Sequence, residues 1–285
     1  MSGDTTVDLR THLQRFGIQH FESPDEYWRW GRQVLGRETS RRLNRLRRPL
    51  ESGASTKRDR HRFYDFIAEP VVAAVVHSMK ADAIRASGEA VAARIADRKS
   101  VLDLGSSIGY LTTWYATVVP GRRVVGIDSS EESIRAAQEW TAQLAVPHPE
   151  FLCINLDKAI PAENFDAVVD TQTSDYVSDP NGLFSRVSAA LADDGILVSV
   201  PALGIPAAAG QFVGMLQDHD LLVTSLEFIY FSDLGGSSAY PVITAARSGK
   251  HLTIDFEGEY ERVLRRLRDL QQEATDKWYD ASEAE

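Results

Sequence analysis

The feature that most constrains this chain is a run of short apolar strands alternating with amphipathic helices from Ser100 onward. Ser100–Leu104 (SVLDL) reads as a strand that ends in a glycine-bearing turn. Tyr110–Val118 follows as a helix, Arg123–Ile127 as a second strand and Ser129–Ala145 as a helix, with Ser129 and Glu132 spaced as a capping box. Phe151–Ile154, Phe165–Asp170 and Gly195–Val200 are three further strands, and helices are predicted over Asn181–Leu191 and Gln211–His219. Strands of this kind are apolar throughout rather than alternating, so both faces of their sheet must be covered. The last two, Leu221–Phe231 and Tyr240–Arg247, have only the loop Asp233–Ser238 between them, which predicts an antiparallel pair. The fold class is therefore α/β: a Rossmann-like, seven-stranded, mostly parallel sheet with an antiparallel last strand and helices on both faces.

Before Ser100 the chain reads as helical, over Asp25–Leu35, Ser40–Leu46 and about Arg62–Ala96, with a loop or hinge at Pro49–Lys57. Three domains follow: an N-terminal helical cap at 1–96, a ligand-binding core at 97–250, and a closing helix with an acidic tail at 251–285.

Charge separates the cap from the core. Of the 285 residues, 31 are Lys or Arg and 41 are Asp or Glu, a formal charge of −10. Between Arg29 and Arg62, twelve Lys/Arg face only Glu38, Glu51 and Asp59, so that stretch carries +9 and all the rest −19. An acidic body repels a polyanion, which argues against a nucleic-acid partner. The arginines are then candidates for contact with a partner subunit, as in a homodimer, or for capture of a carboxylate or phosphate on the substrate. The single Cys153 excludes a disulfide framework and a multi-cysteine metal cluster. Met1–Arg10 lacks the basic and apolar regions of a signal peptide, and Val71–Val76 is too short for a membrane span, so the expectation is a cytoplasmic protein.

The chemistry concentrates at the end of the first strand, in Val101-Leu102-Asp103-Leu104-Gly105-Ser106-Ser107-Ile108-Gly109. In open parallel sheets, ligands bind outside the carboxyl ends of the strands. Asp128 closes the second strand 23 residues after Gly105, where a carboxylate accepts hydrogen bonds from a ribose diol. A dinucleotide such as NAD calls for three glycines and room for a pyrophosphate; here Ser107 takes the middle position. Asp103 suits an ammonium group better than a diphosphate. A cofactor with a ribose and a cationic amino-acid end fits best.

The ordered pattern VLDLGSSIGYLT, VVGIDSS, FLCINLD and FDAVVDTQTS resembles the motifs of class I S-adenosylmethionine-dependent methyltransferases of the small-molecule, natural-product type, over about residues 64–247. Ser107 departs from the family's usual Gly. The resemblance implies that Gly105, Ser106, Ser107 and Gly109 line the methionine part of the cofactor, with Asp103 supporting the loop. It implies that Asp128 holds the ribose, that Ser129 lies against the adenosine, and that Asn155 and the Leu156 backbone meet the adenine, with Asp157 as the alternative acidic residue. Asp170 and Thr171 would stand where methyl group and acceptor meet. Phe63-Tyr64-Asp65-Phe66-Ile67-Ala68 resembles an upstream Tyr-Asp-x-x-Ala element, through which Tyr64 would reach the cofactor.

Transfer from a sulfonium needs no acid for the leaving group, whereas a hydroxyl or carbon acceptor needs a base. Asp170, Asp175, Tyr176 and His61 are the candidates; His77, in an apolar helix, reads as structural. The strand ends Asp170-Thr171-Gln172 and Ser199-Val200-Pro201 offer no Asp-Asn pair, so no metal is expected. The expected function is methyl transfer from S-adenosylmethionine, with S-adenosylhomocysteine as product, to an O, N or C atom of a small molecule, anionic on one reading: a specialised metabolite or an amino-acid-like compound. An RNA or protein methyltransferase and a non-catalytic cofactor-binding regulator are the alternatives.

Overall fold

The computed structural model describes residues 8–52, 55–119, 121, 123–144, 147–203, 206–234 and 236–283. In chain order the elements are α1 (Leu9–Arg15), α2 (Pro24–Glu51), α3 (Lys57–Ile67), α4 (Pro70–Ser78), α5 (Ala81–Ile95), β1 (Ser100–Leu104), α6 (Tyr110–Val118), β2 (Arg123–Asp128), α7 (Glu131–Gln143), β3 (Glu150–Cys153) and β4 (Phe165–Thr171). A 3₁₀ turn (Ser174–Tyr176) leads to α8 (Pro180–Ala190), β5 (Leu191–Val200), α9 (Pro206–Gln217), β6 (Leu222–Asp233), β7 (Gly236–Ala246) and α10 (Phe256–Glu283). Residues 1–7 and 284–285 of the expected cap and tail, Gly53 and Ala54 of the expected hinge, and Ala145 at the end of the expected helix lie outside the described residues.

The sheet order is β3-β2-β1-β4-β5-β7-β6. The first five strands are mutually parallel, and β7 runs antiparallel to both β5 and β6. Strand order reverses between β1 and β4, so the crevice at the carboxyl ends of β1, β2 and β4 is the expected ligand site. The pleat sends successive residues to opposite faces. Val101 joins the cluster beneath α1, α5 and α6, whereas Leu102 and Leu104 join the one beneath α8 and α9.

The cap is smaller than expected. Leu9, Leu13, Phe16 and Ile18 pack with Val91 and Ile95 of α5 and Tyr115 of α6, so α1 and α5 form a layer of the sheet domain. The separate cap cluster comes from α2, α3 and α4 and includes Tyr27, Leu43, Phe63, Phe66 and Val75. Tyr27 seals it by donating its hydroxyl to the Val75 carbonyl at 3.1 Å. The two helices expected before residue 47 are one element broken at Gly36, which adopts φ 67°, a conformation that favours glycine. The hinge is also shorter than expected, because α2 runs to Glu51 and α3 begins at Lys57 under a Thr56–Asp59 capping box. Pro70 stands in the first turn of α4, where its missing N–H costs nothing. Among the described residues no helix is long and apolar enough to cross a membrane.

His12 ties α1 to α6: its buried ring donates from Nε2 to the Tyr110 carbonyl at 2.9 Å. Burial pushes its pKa down to about 4, and does the same to His77. A neutral folded-state histidine gives stability that is complete above its unfolded value near 6.5 and is lost as pH falls toward 4. Each should remove about 2 kcal/mol of stability between pH 7 and pH 5. Urea titrations of His12→Gln should show a change over that window that differs from the parent's by about 2 kcal/mol, in the direction of a smaller loss; identical slopes in parent and variant would refute the assignment.

Candidate functional site

The site is assembled from strand ends. After β1 the chain turns through Gly105 at φ +68° and Ser107 at φ 51°, both left-handed. A Cβ on Gly105 would overlap the Thr173 side chain, whose hydroxyl donates to the Leu104 carbonyl at 2.8 Å. Ser107 is thus a non-glycine residue in a conformation glycine prefers. It is held there by its N–H, which donates to Asp128 Oδ2 at 3.0 Å. The other carboxylate oxygen of Asp128 accepts from Ser130 N–H at 2.9 Å. Ser130, not Ser129, caps α7, accepting from Ser133 N–H at 3.2 Å.

These residues open into a cavity of about 810 Å³ between the cap and the sheet. Of the expected cofactor residues, Tyr64, Asp103, Gly105, Ser106, Ser107, Asp128, Ser129, Asn155, Leu156 and Thr171 line it. Gly109 and Asp170 do not. Gly109, at φ +83°, is needed for packing: a Cβ there would meet Phe151 Cζ at 2.7 Å and Ala137 Cβ at 3.0 Å. Asp170 is fully buried and accepts four hydrogen bonds, from the N–H groups of Thr173 and Ser174 and the hydroxyls of Ser174 and Ser199. Those bonds hold the turn after β4.

The remaining base candidates divide. Asp175 lies outside the lining and accepts from Ala202 N–H at 2.9 Å; burial raises its pKa. His61 and Tyr176 do line the cavity. Tyr176 meets Tyr64 edge to face, ring centroids 5.8 Å apart, and their hydroxyls hydrogen-bond. His77, read from sequence as structural, also lines the cavity, meets Tyr110 with tilted rings whose centroids are 4.9 Å apart, and leaves Nε2 buried without a partner. Asn155 has a turn role as well, since its side-chain oxygen accepts from Asp157 N–H at 2.9 Å. Asp157 accepts from Ser178 N–H at 2.7 Å and lines the cavity. Sequence reasoning missed Thr173, which has no motif of its own and is revealed only by its contact with Gly105.

Electrostatically the sheet wall is prepared for a positive ligand. Burial pushes the Asp103 carboxyl up to about 7 despite the Thr112 hydroxyl that donates to it at 2.6 Å. Burial also raises Asp128, against the pull of its backbone N–H partners. Two buried carboxylates that repel each other are relieved by a bound ammonium or by hydroxyl donors. Ser106 Oγ is buried in the same loop without a partner. The donor set therefore fits a ligand with a ribose diol and a cationic amino-acid end.

Known proteins match the same region. A family model described as "Methyltransferase domain" matches residues 95–223. The malonyl-[acyl-carrier protein] O-methyltransferase of Acetivibrio thermocellus is 28% identical over 100 residues, covering 35% of this chain and 34% of that protein. A ubiquinone biosynthesis O-methyltransferase of Rhodopseudomonas palustris is 29% identical over 98 residues, covering 34% and 38%. The chain thus spans about a third of the length of the curated relatives it matches. Among solved structures, an S-adenosylmethionine-dependent methyltransferase of Methanosarcina mazei aligns over 55% of this chain and 94% of that one, at 18% identity and TM-score 0.46. The glycine loop and the strand ends described above lie within residues 95–223, the part of this chain that is similar to a methyltransferase domain.

Proposed function

We propose that the protein transfers a methyl group from S-adenosylmethionine to a small molecule held in the cavity between cap and sheet. The observation that carries this reading is Asp128: a half-buried carboxylate at the end of β2, fixed by the backbone of Ser107 and Ser130, that lines the cavity beside Gly105. The relatives' names support an O-methyl transfer as one form of the reaction.

When bound, the cofactor supplies a methyl group on a sulfonium, transferred by in-line displacement. The chain's part is binding and alignment, which can supply much of the acceleration. Asp128 accepts from the ribose hydroxyls. Asp103 balances the ammonium end, and Gly105 lets the backbone approach. Tyr64 and Tyr176 close the cavity from the cap side and the sheet side respectively, excluding water. His61, His77 and Tyr176 are the cavity groups able to take or orient a proton of the acceptor. A small acceptor follows from the cap, whose helices α3 and α4 cover the strand ends and enclose the volume.

Calorimetry with S-adenosylhomocysteine tests the cofactor. Binding should weaken by about tenfold or more in Asp128→Ala, as expected for loss of a charge-assisted contact, and NAD should not compete. Unchanged affinity in that variant would overturn the proposal. The Asp103 value near 7 sets a pH dependence. An ammonium-bearing ligand prefers the ionised carboxylate, which is mostly present at pH 8 and mostly protonated at pH 6. Affinity should therefore fall by about tenfold from pH 8 to pH 6, and Asp103→Asn should flatten the profile. Ser107→Gly should keep both fold and affinity, whereas Ser107→Val should lower stability by about 1–3 kcal/mol, because a β-branched residue resists the left-handed region. Equal melting temperatures for the two Ser107 variants would show that the loop relaxes instead.

A further inference from the structure

The two walls of the cavity carry opposite charge. The sheet domain contributes Asp103, Asp128 and Asp157 and, among the described residues, no lysine or arginine beyond the cap helices and the turn that follows them. The cap side contributes the cations Arg47, Arg60 and Lys80, with the rings of His61 and His77 beside them, and no carboxylate. The acidic wall already has an occupant in the cofactor reading, through the ribose and the ammonium. The basic wall faces whatever fills the rest of the volume.

The arrangement on α3 follows from its sequence. Arg60, Phe63, Tyr64 and Ile67 are spaced i, i+3, i+4 and i+7, so they form one stripe, and all four line the cavity. Arg47 and Leu50, three apart on α2, line it from the neighbouring helix. The wall therefore carries two guanidinium side chains, Arg47 and Arg60, together with Trp28, Leu50, Phe63 and Met79. Arg60 is close enough to Tyr64 for its charge to act on that hydroxyl, which already pairs with Tyr176. A guanidinium presents a planar fork of donors that matches a carboxylate or phosphate.

The other cap arginines lie elsewhere. Arg37, Arg41, Arg45 and Arg62 line a separate concavity of about 1050 Å³ that shares no lining residue with the first. There they are interspersed with Glu38, Asp65, Glu69 and Glu132. Arg42 stacks on Phe66 at 4.2 Å and pairs with Glu69 at 3.8 Å. That outer groove is mixed in sign, while the inner wall is of one sign.

We infer that the methyl acceptor is an anionic compound, with a carboxylate or phosphate held by Arg60 and Arg47 and an apolar or aromatic body packed between Trp28, Leu50 and Phe63. This inference rests on the methyltransferase reading of the cavity and specifies the acceptor it takes.

The test uses the full-length protein saturated with S-adenosylhomocysteine, titrated calorimetrically with phenyl phosphate, benzoate, benzyl alcohol and benzylamine. At least one of the two anions should bind about tenfold or more tightly than the alcohol and the amine, and the preferred anion distinguishes phosphate from carboxylate. Arg60→Gln should weaken that anion by about tenfold while S-adenosylhomocysteine affinity stays within about twofold. Arg47→Gln serves as the second variant should Arg60→Gln fail to fold, and Arg45→Gln in the outer groove should change nothing. The inference is overturned if the alcohol or amine binds as well as the anions, if neither anion binds at millimolar concentration, or if Arg45→Gln weakens binding as much as Arg60→Gln. Failure of S-adenosylhomocysteine itself to bind would instead sink the methyltransferase reading.

Discussion

The structure of the site depends on one carboxylate accepting two backbone N–H groups from two different loops. Asp128 Oδ2 takes the N–H of Ser107 and Oδ1 that of Ser130. The first bond fixes the turn after β1, and the second fixes the entry to α7. The first loop is also held by Ser106 N–H, which donates to the Ile127 carbonyl at 2.9 Å, and by Gly109 N–H, which donates to the Ser106 carbonyl at 2.9 Å. Ser107 would leave its left-handed conformation without a partner for its N–H. Ser130 orients α7 through its cap, and α7 in turn packs Ala137 beneath Phe151 and Gly109. A single charged group thus ties together the two loops that leave the paired ends of β1 and β2. It sits where burial makes the same group costly unless a ligand shares it.

That cost organises the electrostatics. Asp103, Asp128 and Asp170 stand at the ends of three adjacent strands, all in the region where the sheet opens. Asp170 is compensated by four donors. Asp103 has one, the Thr112 hydroxyl, and its carboxyl is pushed up to about 7. The protein is therefore least satisfied where a ligand is expected and most satisfied one strand away. The basic cap lies opposite, and its charge compensates an acidic wall across a cavity rather than through contact.

Much of this was legible in the chain, and the reasons differ by element. β1, at Ser100–Leu104, and α6, at Tyr110–Val118, have the bounds the sequence predicts, because an apolar run and a glycine turn are local signals. The parallel character of the sheet follows from alternation, and its antiparallel last strand from the short link before β7. The assignment of α1 and α5 to the cap does not match their packing. Their apolar faces look the same whether they cover a sheet or a cap, and only tertiary contacts with Tyr115 and Trp114 decide. The cap of α7 fell one residue away because both Ser129 and Ser130 can serve, and the choice is made by Asp128. The twelve basic residues read as one segment, yet helical geometry sends Arg47 and Arg60 to the cavity and Arg41 and Arg45 to the outer groove.

Asp170 shows where strand-end reasoning stops. An acid at the carboxyl end of a central parallel strand, in a chain of this pattern, is a natural candidate for the base. What distinguishes a base from a strut is how many donors its oxygens already have, and those donors come from Thr173 and Ser174, just beyond the strand, and from Ser199 on the neighbouring strand. Ser199 is 29 residues away and becomes a neighbour only through the β4–β5 register, in which Asp170 faces Ser199. A carboxylate with four donors has both oxygens occupied by the turn it holds. One with a single donor in a buried setting has its ionisation near neutrality and responds to what binds beside it. By that measure Asp103, read from sequence as a loop support, is the acid most open to ligand control, and Asp170 is the one that keeps the turn beneath the cavity in place.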